Sequence, residues 1–195
     1  EVDALVCAGD VVGYNPWPAD CVAALCEREI PTVMGNHDRM VVTDGNFRGN
    51  HMARAGVDYA RSRIGDDQRA WLADLPAERV LFDGRLKVVH GHPADPDHYT
   101  YPREFGPDLL GEEDALVMGH THVQHHELYP EGIVCNPGSV GQPRDRDPRA
   151  AYAVLDLDAG TVEERRVEYD VERVVEAIEA AGLPGRTGER LREGR

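Results

Sequence analysis

Four short apolar runs in this chain each end at a side chain able to bind a metal, and this limits the possible folds more than any other feature. Leu5, Val6 and Cys7 lead to Ala-Gly-Asp at Asp10, and Pro31 to Met34 lead to Gly-Asn-His-Asp at 35–38. Residues 86–89 lead to His-Gly-His at 90–92, and residues 115–118 to Gly-His-Thr-His at 119–122. Each run is continuously apolar rather than alternating, which predicts a short strand covered on both faces. Strands of an open α/β sheet bring their ligands to one edge, at the carboxyl ends. The donors are carboxylate, amide oxygen and imidazole without thiolate, a set that suits Mn, Zn, Fe or Ni.

Charge narrows the function classes. The 195 residues carry a net charge of −15, and Lys87 is the only lysine. Such acidity excludes a broad face for a nucleic-acid polymer, which needs a basic stripe. It is the balance that a high-salt cytoplasm favours, and it predicts a halophilic source. No apolar run approaches the roughly 18 residues of a membrane span. Cys7, Cys21, Cys26 and Cys135 form no C-x-x-C pair and read as small buried hydrophobes of a reducing, cytoplasmic setting. One domain is expected over 1–182, with 183–195 as a charged, frayed tail.

Periodicity and turn residues predict helices over 18–29, 51–64, 67–75 and 171–181. Asp66 or Asp67 is the expected cap of the third, and Gly182 ends the last. Hairpins are expected over 80–82 with 86–90, 126–129 with 133–135, and 152–156 with 162–168. Residues 93–113 show only weak periodicity.

The motifs also carry a family resemblance. Gly-Asp-Val-Val-Gly-Tyr at 9–14, Gly-Asn-His-Asp at 35–38, Val-His-Gly at 89–91, Gly-His-Thr-His at 119–122 and Asn-Pro-Gly-Ser-Val at 136–140 stand in this order. Together they resemble the calcineurin-like metallophosphoesterase family, above all its small bacterial and archaeal phosphodiesterase branch. The likeness runs from the first residues to about Tyr169. It implies an α/β (α+β) four-layer sandwich: two packed mixed β-sheets flanked by helices. The family opens with a strand ending in Asp-x-His. No Asp-x-His stands upstream of Asp10, so an N-terminal βα unit is expected to be missing.

The resemblance implies a site with two divalent transition metals, manganese first, with nickel, zinc and iron as alternatives. Asp10 would bridge them. Asn36, His90 and His120 would complete the second metal, and His122 would join Asp10 on the first. The absent motif would supply the rest of the first set, so a metal content below two per chain is expected. His120 and His122 are two apart, which in extended chain puts both rings on one face. His92 is expected to line the pocket.

By the same resemblance His37 is the acid that protonates the leaving oxygen, with Asp38 orienting it, while a metal-bridging hydroxide attacks phosphorus. The alternative is that Asp38 caps the following turn and His37 is a support. Arg144 and Arg149 are candidate phosphate contacts, with ion pairing as the alternative. Ser139 and Gly138 could offer backbone N–H groups. Tyr14, Trp17, Tyr99 and Tyr101 could stack on a base or aryl group. The function implied is that of a hydrolase acting on the phosphoric ester bond of a small phosphate ester or nucleotide, with no membrane partner. The alternative is an inactive binding or scaffold protein of the same fold.

Overall fold

The computed structural model describes residues 2–43 and 50–195. Among them are two sheets and six α-helices in a mixed α/β arrangement. The larger sheet comprises β1 (Glu78–Leu81), β2 (Leu86–Val89), β3 (Ala115–Val117), β4 (His125–Tyr129) and β5 (Gly132–Asn136), in the order β1-β2-β3-β5-β4. β2, β3 and β5 run parallel, with Leu86 opposite Ala115 and Ala115 opposite Ile133, and the two outer pairs are antiparallel. Parallel pairing puts the carboxyl ends of β2 and β3 on one rim, and with them His90 and the 119–122 loop.

Both faces of this sheet are covered, which is why its central strands read as apolar runs. Leu86, Val88, Ala115, Val117, Ile133 and Cys135 pack against Ala153, Leu155 and Val162. Those three belong to β6 (Ala150–Asp156) and β7 (Thr161–Val167), an antiparallel pair that forms the second sheet. On the other face, Val89, Leu116, Met118 and Val134 meet Phe105, Leu109 and Leu110. The weakly periodic 93–113 segment is therefore a cover, with short 3-10 turns at Pro102–Glu104 and Pro107–Leu109.

Two expected strands do not form ladders. The 5–8 and 31–34 segments meet in a single parallel bridge, Cys7 to Thr32. Cys7 N–H donates to Pro31 O, and Val33 N–H donates to Cys7 O. Pro31 has no N–H to carry the pairing back, and Gly9 turns away at φ +88°. The second sheet among the described residues is thus an antiparallel pair rather than the mixed sheet expected.

The helices are α1 (Pro18–Glu27), α2 (Asn36–Val42), α3 (His51–Arg63), α4 (Asp66–Ala73), α5 (Val171–Ala180) and α6 (Gly185–Glu193). The first four enclose Val12, Val22, Val41, Val57, Ala60, Leu72 and Leu75. α2 has no counterpart in the sequence reading. α4 begins one residue early, so its cap is Gly65, whose N–H donates to Gln68 Oε1. All four cysteines are free, and Cys21 is exposed rather than buried, on the outside of α1 next to buried Val22.

The expected frayed tail is instead folded. α6 buries Leu191 completely, in a cluster with Ile178 and Leu183 that also takes Ala55 and Tyr59 of α3. The cause is spacing: Thr187, Gly188 and Leu191 form one face, and Gly188 lets α6 approach Val175 of α5. Leu191→Ala should therefore cost about 2–5 kcal/mol of unfolding free energy, as cavity-forming core substitutions do. Denaturant titration checks this; a loss below about 0.5 kcal/mol, the range of surface changes, would mean that the segment does not pack.

Candidate metal centre

The site is built on backbone that few side chains tolerate. Asp10, His120 and His122 all have positive φ, at 55°, 65° and 60°. Each such non-glycine residue costs on the order of 1–2 kcal/mol. His120 and His122 are thus not presented from extended chain, as expected, but from a tight turn in which Thr121 N–H donates to Gly119 O at 2.7 Å. Gly9 and Gly35 let the Asp10 loop and the start of α2 touch: a Cβ on Gly35 would collide with Asp10 N and Oδ1. At that helix start, His37 N–H donates to Asp10 Oδ1 at 2.9 Å.

Four of the expected ligands come together. The ligand atoms of Asp10, His90 and His120 lie within 4.8 Å of one another. His90 Nε2 is 3.1 Å from Asn36 Oδ1, 3.1 Å from His120 Nδ1 and 3.4 Å from Asp10 Oδ1. The far nitrogens decide the tautomers. His90 Nδ1 lies 2.7 Å from Ala8 O, and His120 Nε2 lies 3.2 Å from Asp97 O. A carbonyl only accepts, so the proton of each neutral ring sits on that far nitrogen. His90 Nε2, His120 Nδ1, Asn36 Oδ1 and Asp10 Oδ1 then face each other as lone pairs. This arrangement calls for positive charge between them, and its N and O donors fit a divalent transition metal. His122 repeats the pattern, with Nδ1 2.7 Å from Gln142 O and Nε2 4.0 Å from Asp10 Oδ2.

The electrostatics agree with this need. Burial opposes ionisation of Asp10, but the His90 charge and the neighbouring His122 ring hold its pKa well below the usual carboxylate value. Burial also works against a charge on His90, yet the charge and hydrogen bond of Asp10 raise its pKa. His120 is pushed down to about 4, first by burial and then by His90. Burial lowers His122 as well.

His37 is buried, and its Nδ1 has no hydrogen-bond partner. Burial is the main cause of its lowered pKa. The Tyr14 ring lies 4.8 Å away, and Gly13 leaves room for the imidazole. Asp38 does not orient His37. Its carboxylate accepts N–H bonds from Val12 at 3.1 Å and Gly35 at 2.9 Å, which makes it the cap of α2. Burial and then the neighbouring Asp10 push its pKa up to about 7.

The outer residues divide. Arg144 N–H donates to His122 O, its guanidinium lies 5.6 Å over the Tyr14 ring, and it bonds the Gln142 amide oxygen rather than a carboxylate. Arg149 pairs with Asp147 in the open, which is the ion-pair alternative. Ser139 Oγ accepts from Gln142 N–H. Tyr99 stacks on His120 at 3.8 Å, and Tyr101 stacks on Tyr99. His92 Nδ1 accepts from Ala94 N–H and faces His98 instead of the cluster.

Two residues with supporting roles escaped the sequence reading. Asn136 Nδ2 donates to Gly119 O at 2.6 Å and to Thr121 Oγ1 at 3.0 Å, while its Oδ1 accepts from Gly138 N–H. It ties the 136–140 loop to the turn carrying both histidines. Gln142 holds His122 through its carbonyl and Arg144 through its side chain. The Asn-Pro-Gly-Ser motif pointed at the first, and no sequence signal marks the second.

Comparison with known proteins places this geometry. A family model described as the calcineurin-like phosphoesterase superfamily domain matches residues 1–160. The crystal structure of a metallophosphoesterase from Sphaerobacter thermophilus superposes with a TM-score of 0.84 at 30% identity, covering 100% of this chain and 89% of that one. An uncharacterised protein of Methanocaldococcus jannaschii is 29% identical over 214 residues, covering 100% of this chain and 88% of its own length. Phosphodiesterase YfcE of Escherichia coli is 36% identical over 88 residues, 45% of this chain and 43% of the enzyme.

Asn136→Ala removes no ligand but frees the turn that carries two of them. It should weaken binding of Mn²⁺ about 10–100-fold, as loss of a residue supporting ligands does. Calorimetric titration of the chelator-treated protein measures this, and unchanged affinity would remove the supporting role. The gain in melting temperature on adding Mn²⁺ should also shrink as pH falls from about 8 to about 6, because the cation must displace the proton that His90, with its raised pKa, holds increasingly well. A gain that grows on acidification would contradict the site.

Proposed function

Because this chain belongs to the calcineurin-like phosphoesterase superfamily, we propose that it is a metal-dependent hydrolase of a small phosphate ester or nucleotide. The observation that carries this is the set of buried lone pairs on Asp10, Asn36, His90 and His120, with His37 unpartnered beside it. Asp10, Asn36, His90 and His120 would hold one divalent cation, and Asp10 with His122 would take part in holding a second. Manganese is the first choice, with nickel, zinc and iron as alternatives. Such cations supply charge neutralisation at the phosphoryl group and a water of lowered pKa.

The protein's own groups do the rest. Backbone N–H bonds from Val12 and Gly35 to Asp38 fix the start of α2. The peptide N–H of His37 in turn orients Asp10. His37 is the acid: it gives its proton to the leaving oxygen as the phosphorus–oxygen bond breaks. Burial, which lowers its pKa, makes it a stronger donor, and the approaching anion favours its charged form. Arg144 would neutralise charge on a non-bridging oxygen. Tyr14, which packs on His37 and lies under Arg144, would flank the same group. Ser139 would be a further contact, and Arg149, paired with Asp147, would have no part in it. The four unpaired cysteines support a reducing, cytoplasmic setting.

Hydrolysis of bis-p-nitrophenyl phosphate by the Mn-loaded protein, with His120→Ala as the metal-deficient control, tests the proposal. No turnover by a metal-loaded chain would favour the scaffold reading instead. His37→Ala should keep its metal and lose about 10²–10⁴-fold in turnover of alkyl esters, which need a proton on the departing oxygen. Loss should be far smaller for p-nitrophenyl esters, whose anion leaves unaided. Equal losses for both would remove the acid role.

A further inference from the structure

Several arginines make no ion pair among the described residues; Arg28, Arg63 and Arg146 lie on the open surface, whereas two others are partly covered. Arg144 and Arg190 are both half-buried, and neither makes an ion pair with a carboxylate among the described residues. Arg186, one turn before Arg190 on α6, has no such partner either. Burying guanidinium groups without counter-charge is costly, so something anionic belongs against them.

The fold brings these arginines together. Arg144 N–H donates to His122 O, and its guanidinium lies over Tyr14, which packs on His37. α6 docks onto the same stretch of chain: Arg146 N–H donates to Gly194 O at 2.8 Å. Gly194, at φ +61°, lies so close to the Asp147 backbone that a Cβ would clash. Leu191 anchors the adjacent face of α6 on α3. Arg190 is one turn before Gly194. Burial and the charges of Arg144 and Arg186 lower its pKa, and Tyr14 also acts on it. Arg192 points elsewhere, into a pair with Glu172 of α5.

We infer that Arg144 and Arg190, with Arg186 beyond them, form a second anion subsite next to the metal centre, so that the substrate carries a phosphoryl group besides the one attacked. The inference rests on the reading above that a phosphoryl group sits at Asp10 and His120. It assigns α6, which lies outside the stretch matched by the family model, a place in substrate selection. A phosphate chain, as in a nucleoside polyphosphate or pyrophosphate ester, carries the additional negative charge such a subsite would take, whereas a simple dialkyl monophosphate carries a single charge at the attacked group.

The test is calorimetric titration of the full Mn-loaded chain with tripolyphosphate and with orthophosphate, each supplied in excess Mn²⁺. Wild type should prefer tripolyphosphate. Arg190→Gln should lose about tenfold or more for tripolyphosphate and less than about twofold for orthophosphate, since one charge-assisted contact is removed from the longer anion only. Arg190→Lys should keep most of the affinity. Arg192→Gln, the same charge change on the other side of the helix, should match wild type. An equal loss in Arg190→Gln and Arg192→Gln would reduce the effect to net charge and overturn the subsite, as would a wild type without preference for tripolyphosphate. Assaying bis-p-nitrophenyl phosphate on the same samples separates the two readings. A chain that hydrolyses nothing but loses tripolyphosphate through Arg190→Gln keeps the subsite and loses the phosphoesterase proposal.

Discussion

The lone pairs that meet around His90 Nε2 set the terms for the rest of the molecule. Asn36 Oδ1, His120 Nδ1 and Asp10 Oδ1 surround it within 3.4 Å, and the Ala8 and Asp97 carbonyls accept hydrogen bonds from the N–H groups on the far sides of the two rings. Left uncompensated, buried acceptors so arranged cost on the order of 1–3 kcal/mol each. Positive charge between them turns the same atoms into a source of stability, because a ligand that binds only the folded chain shifts the folding equilibrium towards it. The pKa of His90, which burial lowers but the charge and hydrogen bond of Asp10 raise overall, reflects the same need for positive charge.

Much of the surrounding architecture serves to hold this arrangement. The parallel register of β2 and β3 sets His90 beside the turn that carries His120 and His122. Asn136, at the end of β5, clamps that turn with two hydrogen bonds. Asp38 fixes α2, and α2 presents Asn36 and the peptide N–H of His37. Three donors sit in left-handed backbone, strain that persists only where neighbours over-determine the conformation. A flexible loop could present the same side chains, but it would have to order them at each binding event.

The sequence made the centre legible because chemistry and periodicity coincided there. Apolar runs covered on both faces have a distinctive pattern, and each ended in a donor. Where the two signals separated, reading failed. The 5–8 and 31–34 runs have strand composition, but Pro31 and the turn at Gly9 stop their ladder after one bridge. α2 was missed because its first residues look like loop ligands, although Gly35 and Asp38 form a cap pair at that helix start. The charged 183–195 stretch hid one apolar face, Thr187, Gly188 and Leu191, among arginines and glutamates. The role of Asp38 depends on which donors reach its two oxygens, and Val12 is 26 residues away in sequence. Gln142 acts partly through its carbonyl, which side-chain identity does not report.

Anomalous diffraction from crystals grown with Mn²⁺ tests the central claim most directly. The account predicts a peak within coordination distance of Asp10 Oδ1, Asn36 Oδ1, His90 Nε2 and His120 Nδ1, with His90 Nδ1 and His120 Nε2 still donating to the Ala8 and Asp97 carbonyls. A Mn²⁺-saturated crystal without a peak among those four atoms, or with manganese bound only elsewhere, would contradict it.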